Sequence, residues 1–251
     1  MPQFIPEQTP KEVEDVLDHG PILSAEGLRK ITAEDPANQV YRCELEGGLV
    51  AYFKPERDMI DPRISPESQV NRERAAYLVS RALGFGHVPV TVIRTIEGLR
   101  GTLKQEVKGA LLADVIDKAR KEKIPLKKKV QPESLADAGL FDYLTSAGDH
   151  SEENFIVDTK GRVHAFDNAL AFTTEPEYEW SAPLEEVKRG LAVSKETTRR
   201  LETFWTDENK KAVLRRELAP LLSEEEIAQF FSRLERVVVL GEIGREKLKV
   251  A

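Results

Sequence analysis

With 251 residues the chain can form one large domain or two lobes, and its 40% hydrophobic and 32% charged residues are the balance of a globular protein rather than a disordered one. A net charge of −7 excludes bulk attraction to nucleic acid, though it leaves room for a local basic patch. Cys43 is the only cysteine, which excludes an intrachain disulfide, and no apolar run reaches the ~20 residues of a membrane span. The N-terminus lacks a cationic start followed by an apolar stretch, so the expectation is a cytoplasmic protein.

The first element is a short helix to about Asp18, begun by Thr9-Pro10-Lys11-Glu12. Thr9 can cap, Pro10 suits the first helical position, and Glu12 can reach back to the cap. Strands are expected near Leu28–Thr32, Gln39–Leu45 and Leu49–Lys54, the last two joined by Gly47-Gly48, where a tight hairpin turn needs positive φ. Ser65-Pro66 opens a helix with apolar positions from Val70 to Leu83 at helical spacing, closed by Gly84. Two β-rich runs follow, Val88–Arg94 and Thr102–Val107, around Glu97-Gly98-Leu99. From Ala110 onward the pattern is helical, interrupted by a hairpin of Asn154–Val157 and Arg162–Phe166. Helices then fill most of Pro183–Leu240, including Glu224–Leu234 after a Ser223 cap. The order predicts an α+β, two-lobed fold: a β-rich first lobe, 1–107, and a mainly helical second lobe, 108–251.

The chemistry concentrates in LFDYLTSAGDHSEENFIVDTKGRVHAFDNALAF, Leu140–Phe172. Asp149 follows a helix, Asn154 stands at the mouth of the hairpin, and Asp167 lies just beyond its second strand, so 149–167 is the expected catalytic hairpin. The five-residue step from Asp149 to Asn154 is similar to the catalytic loop of protein kinases, and Asp167 resembles the aspartate that opens D-F-G. Transfer of a phosphoryl group needs hard oxygen ligands for Mg²⁺, here the amide of Asn154 and the carboxylate of Asp167. Asp149 would accept the proton of the acceptor hydroxyl. Acids and amides in such a stretch can equally make a solvated turn. Flanking apolar runs predict Asp167 to be partly buried and in need of a partner.

The first half adds Lys54, at the end of Val50-Ala51-Tyr52-Phe53-Lys54, and Glu73 in the next helix. Lys54 can neutralise phosphates with Glu73 holding its ammonium, or the two can be an exposed strand end and a solvated helix face. FKP, NRERAAYLVSRALGFGHVPVT and GDHSEENFIVDTKGRVHAFDNALAF together resemble the atypical kinases of the phosphatidylinositol 3-/4-kinase-like group and, more distantly, HipA-like kinases. The resemblance spans Gln39–Phe172. It implies an ATP- and Mg²⁺-dependent kinase with Lys54, Glu73 and Asp149 as catalytic residues and Asn154 and Asp167 as metal ligands. It also implies nucleotide contacts from Lys54, from Asn38 in the loop Glu34–Asn38, and from hinge residues Gln105, Glu106 and Val107. That loop lacks glycine, and Asp167-Asn168-Ala169 lacks the glycine of D-F-G. A protein Ser/Thr hydroxyl is the favoured acceptor. A catalytically inactive nucleotide binder, a lipid kinase and a nucleotidyl transferase are the alternatives.

His150 is expected either to orient substrate or phosphate or to be a partly exposed turn histidine. The basic run Lys118–Lys129 can meet an acidic substrate, an inositol phosphate or an anionic membrane, or be a solvated helix end. Trp180 and Trp205 are expected to pack among helices or line a groove, and Phe230-Phe231 and Val237-Val238-Val239 to be core. His164 has no second His or Cys at ligand spacing, which rejects zinc.

Overall fold

The computed structural model describes residues 9–25, 39–174, 180–243 and 246–250. Asn38, the loop Glu34–Asn38 and the strand expected at Leu28–Thr32 lie outside them. Two compact units emerge, one of residues 1–70 and 90–106, the other of 71–89 and 107–251.

In the first unit, helix α1 (Pro10–His19) starts at Thr9 with the expected capping box to Glu12. Strands β1 (Ile22–Ala25), β2 (Tyr41–Leu45) and β3 (Val50–Pro55) follow, and Gly47 and Gly48 take φ of 77° and 78° in the β2–β3 connection. Helix α2 (Pro66–Leu83) counts with the first unit over Pro66–Val70 and with the second from Asn71. The last two strands are β4 (Thr91–Ile96) and β5 (Leu99–Gln105). Both differ from the expected runs. Pro89 has no N–H for a ladder, so β4 starts later, and the two-residue turn Glu97-Gly98, both at positive φ, brings β5 forward to Leu99.

The five strands form one antiparallel sheet in the order β1-β2-β3-β5-β4. Cys43, Ala51, Phe53, Val92 and Leu103 are buried and share one face by register. The amphipathic α1 covers that face with Val13 and Leu17, and Arg94 donates to the Leu17 carbonyl at 2.8 Å. Alternation along β3 therefore puts Val50, Tyr52 and Lys54 on the opposite face. Lys54 lies across from Thr102, and Pro55 across from Gly101. A β-carbon at Gly101 would collide with the Lys54 carbonyl and the Pro55 Cα, so the missing side chain lets β5 close on the lysine's backbone.

The second unit carries a small sheet in the order β6-β7-β8: β6 (Gly109–Leu111), β7 (Phe155–Asp158) and β8 (Val163–Ala165). β6 corrects the expectation of helix from Ala110. Its partners are Ile156–Asp158, distant in sequence, and the helix begins only at Leu112. The helices are α3 (Leu112–Glu122), α4 (Pro132–Thr145), α5 (Ala182–Lys188), α6 (Lys195–Thr206), α7 (Glu208–Leu218) and α8 (Glu224–Glu235). Ser223 and Glu226 form a capping box on α8, as its sequence foretells. α4 is buried almost throughout, from Leu135 to Thr145. Asn71–Leu83 of α2 joins this unit through Arg72–Glu226 and Arg81–Glu217 ion pairs, both 2.6 Å. Phe230, Phe231 and Val237 are core, but Val239 is 59% exposed, which corrects the expected Val237–Val239 core run.

Candidate active site

Among the described residues six non-glycine residues have positive φ, and four of them fall in one stretch: Ser146, Asp149, Asp167 and Phe172. A left-handed backbone costs roughly 1–2 kcal/mol in an L-residue, so surrounding contacts must hold it. Those contacts are visible. Gly148 N–H donates to the Leu170 carbonyl at 3.2 Å, Phe172 N–H to the Thr145 carbonyl, and Arg233 to the Ser146 hydroxyl at 2.9 Å. His150 exchanges backbone hydrogen bonds with the Trp180–Ala182 segment, both at 3.0 Å.

The hairpin brings the expected acids together by register. Phe155 pairs with Ala165, and one step outward the Phe166 N–H donates to the Asn154 carbonyl at 3.0 Å. Asn154 and Asp167 thus stand at the same end of the β7–β8 hairpin. On the other side, His150, next to Asp149, reaches the Phe166 carbonyl with Nε2 at 3.2 Å. The neighbours of Asp149 and Asp167 are therefore hydrogen-bonded to each other, while both aspartates are exposed. That exposure overturns the expected part-burial of Asp167. The buried residue is its neighbour Asn168, 2% exposed, whose side-chain amide has no hydrogen-bond partner among the described residues.

His150 is the largest surprise. It is 1% exposed, neither an exposed turn residue nor a group free to meet substrate. Its Nδ1 donates to Asp142 Oδ1 at 3.0 Å, and Asp142 Oδ2 accepts from the Ser181 hydroxyl at 2.5 Å. Both ring nitrogens face acceptors, the arrangement of a doubly protonated imidazolium. Burial disfavours that charge, but the Asp142 carboxylate, its hydrogen bond and the Phe166 carbonyl outweigh it, and the pKa rises above its usual 6.5. Neither Asp142 nor Ser181 is singled out by the sequence reading. One signal for Asp142 was present: a lone acid inside the apolar run Leu140-Phe141-Asp142-Tyr143-Leu144 of a helix must find a partner.

Asn154 Oδ1 accepts from the Ser151 N–H at 3.0 Å and from the Ser151 hydroxyl at 3.1 Å, capping the short helical turn Glu152–Asn154. Asp158, at the far end of the hairpin, collects Lys160 and Arg162 N–H groups and the Arg162 and His164 side chains. Burial works against its charge, yet the Arg162 and remaining hydrogen bonds hold its carboxyl well below the usual range. Asp158 is thereby a turn clamp, and it accounts for His164. No cluster of three or more His, Cys, Asp or Glu able to hold a metal occurs among the described residues. An amide and a carboxylate are nonetheless hard oxygen donors of the kind Mg²⁺ takes alongside water and phosphate. Asp167 has no hydrogen bond or ion pair among the described residues, so its carboxylate is available, whereas the Asn154 oxygen is engaged by Ser151.

Of the residues expected to serve the nucleotide, Lys54 is half-buried on β3. Glu73, in the second unit, is 3% exposed. Gln105 and Glu106 spend their N–H groups on the Val90 and Val50 carbonyls, at 2.8 and 2.9 Å. Val107 is the one of the three expected hinge residues whose N–H has no backbone acceptor among the described residues.

No family model matches the sequence, and a search of curated proteins finds no relative. Similarity appears in structure. A hydra Fam20, solved with sugar, matches with a TM-score of 0.58 at 16% identity, over 96% of this chain and 92% of that one. The Helicobacter pylori proinflammatory kinase CtkA matches with a TM-score of 0.45 at 12% identity, over 88% and 92%. The chain has a protein-kinase-like fold, an N-terminal antiparallel five-stranded sheet followed by a mainly helical region. Among the described residues no helix is long and apolar enough to cross a membrane.

Proposed function

We propose that this protein is an ATP-dependent phosphotransferase with Asp149 as the residue that takes the acceptor's proton. The observation that carries the reading is the tie between the two acidic turns: His150 bonds the Phe166 carbonyl while Phe166 bonds Asn154, so Asp149, Asn154 and Asp167 gather at one hairpin end. In the proposed step the acceptor oxygen bonds to the γ-phosphorus as the bond to the β–γ bridging oxygen breaks. The hydroxyl proton passes to the Asp149 carboxylate, and ADP leaves. Asn154 and Asp167 would hold Mg²⁺, which supplies charge neutralisation for the phosphates. Lys54 is assigned the α- and β-phosphates and Glu73 its partner, on the order of these residues in the chain. Val107 is assigned the adenine edge through its N–H, which has no backbone acceptor among the described residues. A protein Ser/Thr hydroxyl is the favoured acceptor.

The test is transfer of label from γ-labelled ATP with Mg²⁺ to protein acceptors. Asp149→Ala and Asp167→Ala are each expected to lose at least ~100-fold. Equal labelling by wild type and both variants would sink the assignment, and transfer of α-label instead would show nucleotidyl transfer. One observation favours a second reading, nucleotide binding without turnover. The Asn154 oxygen already holds two hydrogen bonds from Ser151. That reading predicts thermal stabilisation by ATP with no label transferred.

A further inference from the structure

Beside the acidic turn, α3, the Ile124–Leu126 segment and the start of α5 enclose a groove of about 600 Å³. Its apolar lining includes Leu112, Ile116, Ile124, Leu126, Pro183 and Trp180, the last 44% exposed. A second hollow of about 410 Å³ shares Ile116, Arg120 and Glu152 with it and extends to Ser151 and Glu153, the residues between Asp149 and Asn154. The lining runs along α3 from Leu112 to Lys123. At 1.5 Å per residue that is ~16 Å, room for about five residues of extended chain.

The charges on this groove are sorted. Asp117 is paired with Arg120 at 3.5 Å, Glu185 with Lys188 at 2.9 Å and Glu186 with Arg189 at 2.8 Å. What remains without an ion-pair partner among the described residues is Glu152 and Glu153, three and four positions after Asp149 in the chain, and Lys123. An anionic membrane or inositol phosphate drawn to Lys118–Lys129 would meet these two carboxylates, which no ion pair among the described residues neutralises. A polypeptide with a cationic side chain there would pair with them.

Resting on the phosphotransferase reading for its place beside Asp149, we infer that the groove is the docking site of the acceptor polypeptide. It takes an extended segment with a basic residue beside the acceptor hydroxyl, held by Glu152 and Glu153, and an apolar side chain on the Ile116–Trp180 floor. The docking itself needs no nucleotide. It can therefore be read by fluorescence anisotropy on the full-length Asp149→Asn protein without ATP. The probes are labelled seven-residue peptides with a central serine and one leucine, flanked by Arg, Gln or Glu.

The Arg peptide is expected to bind at least ~10-fold tighter than the Glu peptide, and Glu152→Lys/Glu153→Lys to invert that order. Trp180→Ala is expected to weaken all three peptides together. Circular dichroism of each variant separates loss of binding from loss of fold, and because the preference must invert, misfolding cannot imitate success. Equal affinity for all three peptides, or an unchanged order in the charge-swapped protein, overturns the proposal. So does binding to phosphatidylserine vesicles in place of the Arg peptide. If the Arg preference and its inversion hold while γ-labelled ATP gives no transfer, the docking site stands and the phosphotransferase reading falls.

Discussion

His87 and His150 are both buried in the second unit, and both rest on phenylalanine: His87 against Phe141 and His150 against Phe155, each at 4.5 Å between ring centroids. Their polar surroundings differ completely. Neither nitrogen of His87 has a hydrogen-bond partner among the described residues, whereas both nitrogens of His150 face acceptors. Burial, helped by nearby His164, His150 and Arg200, pushes His87 down to about 3. The same burial is overcome at His150, whose pKa rises. Two buried rings thus have pKa values shifted in opposite directions, and the partners decide. The ring with both nitrogens on acceptors is the one beside Asp149. It acts as a positioning residue that fastens one acidic turn to the other.

The most damaging way to break the contrast is Asp142→Asn. It keeps the shape of the side chain but leaves the His150 imidazolium without its counter-charge. Loss of one member of a buried ion pair costs about 3–5 kcal/mol, the expected drop in urea-unfolding stability at pH 7. The His150 ring should also titrate at lower pH by NMR, becoming more like His87. A loss below ~1 kcal/mol with an unmoved titration would mean that the ring is not held charged by Asp142.

A milder route reaches the same network through the backbone. Gly139 in α4 faces the first turn of α5, and a β-carbon there would collide with the Pro183 carbonyl. Ser181, the cap of α5 and the second partner of Asp142, rides on that turn. Alanine is the better helix former by ~1 kcal/mol, so Gly139→Ala would stabilise an uncrowded helix. Here a net loss of about 1–3 kcal/mol is expected by thermal unfolding. A gain would show that α5 is not pressed against α4.

Much of this architecture could be read from residues. The caps at Thr9 and Ser223 follow from hydroxyl–glutamate spacing, and the placement of Asn154 and Asp167 follows from a hairpin whose turn and alternation are local. What could not be read depends on distant partners. β6 is three residues of weak strand-formers, Gly109-Ala110-Leu111, and exists only because β7 offers a ladder. The burial of His150 depends on α4 and on Ser181, 31 positions later in the chain, and no periodicity links them. Asn168 carries no charge that would mark it in the sequence, yet in this turn the amide is the residue the fold encloses.

The gentlest probe works on His87 through pH. Its folded pKa lies below the ordinary 6.5, so between pH 6.5 and about 3 the unfolded chain binds a proton that the folded chain refuses. Stability supplied by this residue is present above pH 6.5 and is lost as pH falls through that window. His150 has the opposite sign: its contribution is complete below 6.5 and is lost as pH rises through its raised folded value. His87→Phe keeps a ring on Phe141 and removes two unpaired nitrogens, so its cost at pH 7.5 should stay within ~1.5 kcal/mol. Between pH 7.5 and 5.5 the wild type should lose about 1 kcal/mol that the variant does not. Every other titrating group, His150 included, is common to both proteins and cancels in that difference. Parallel stability curves over this range would mean that His87 takes up its proton inside the folded protein, and the contrast with His150 would disappear.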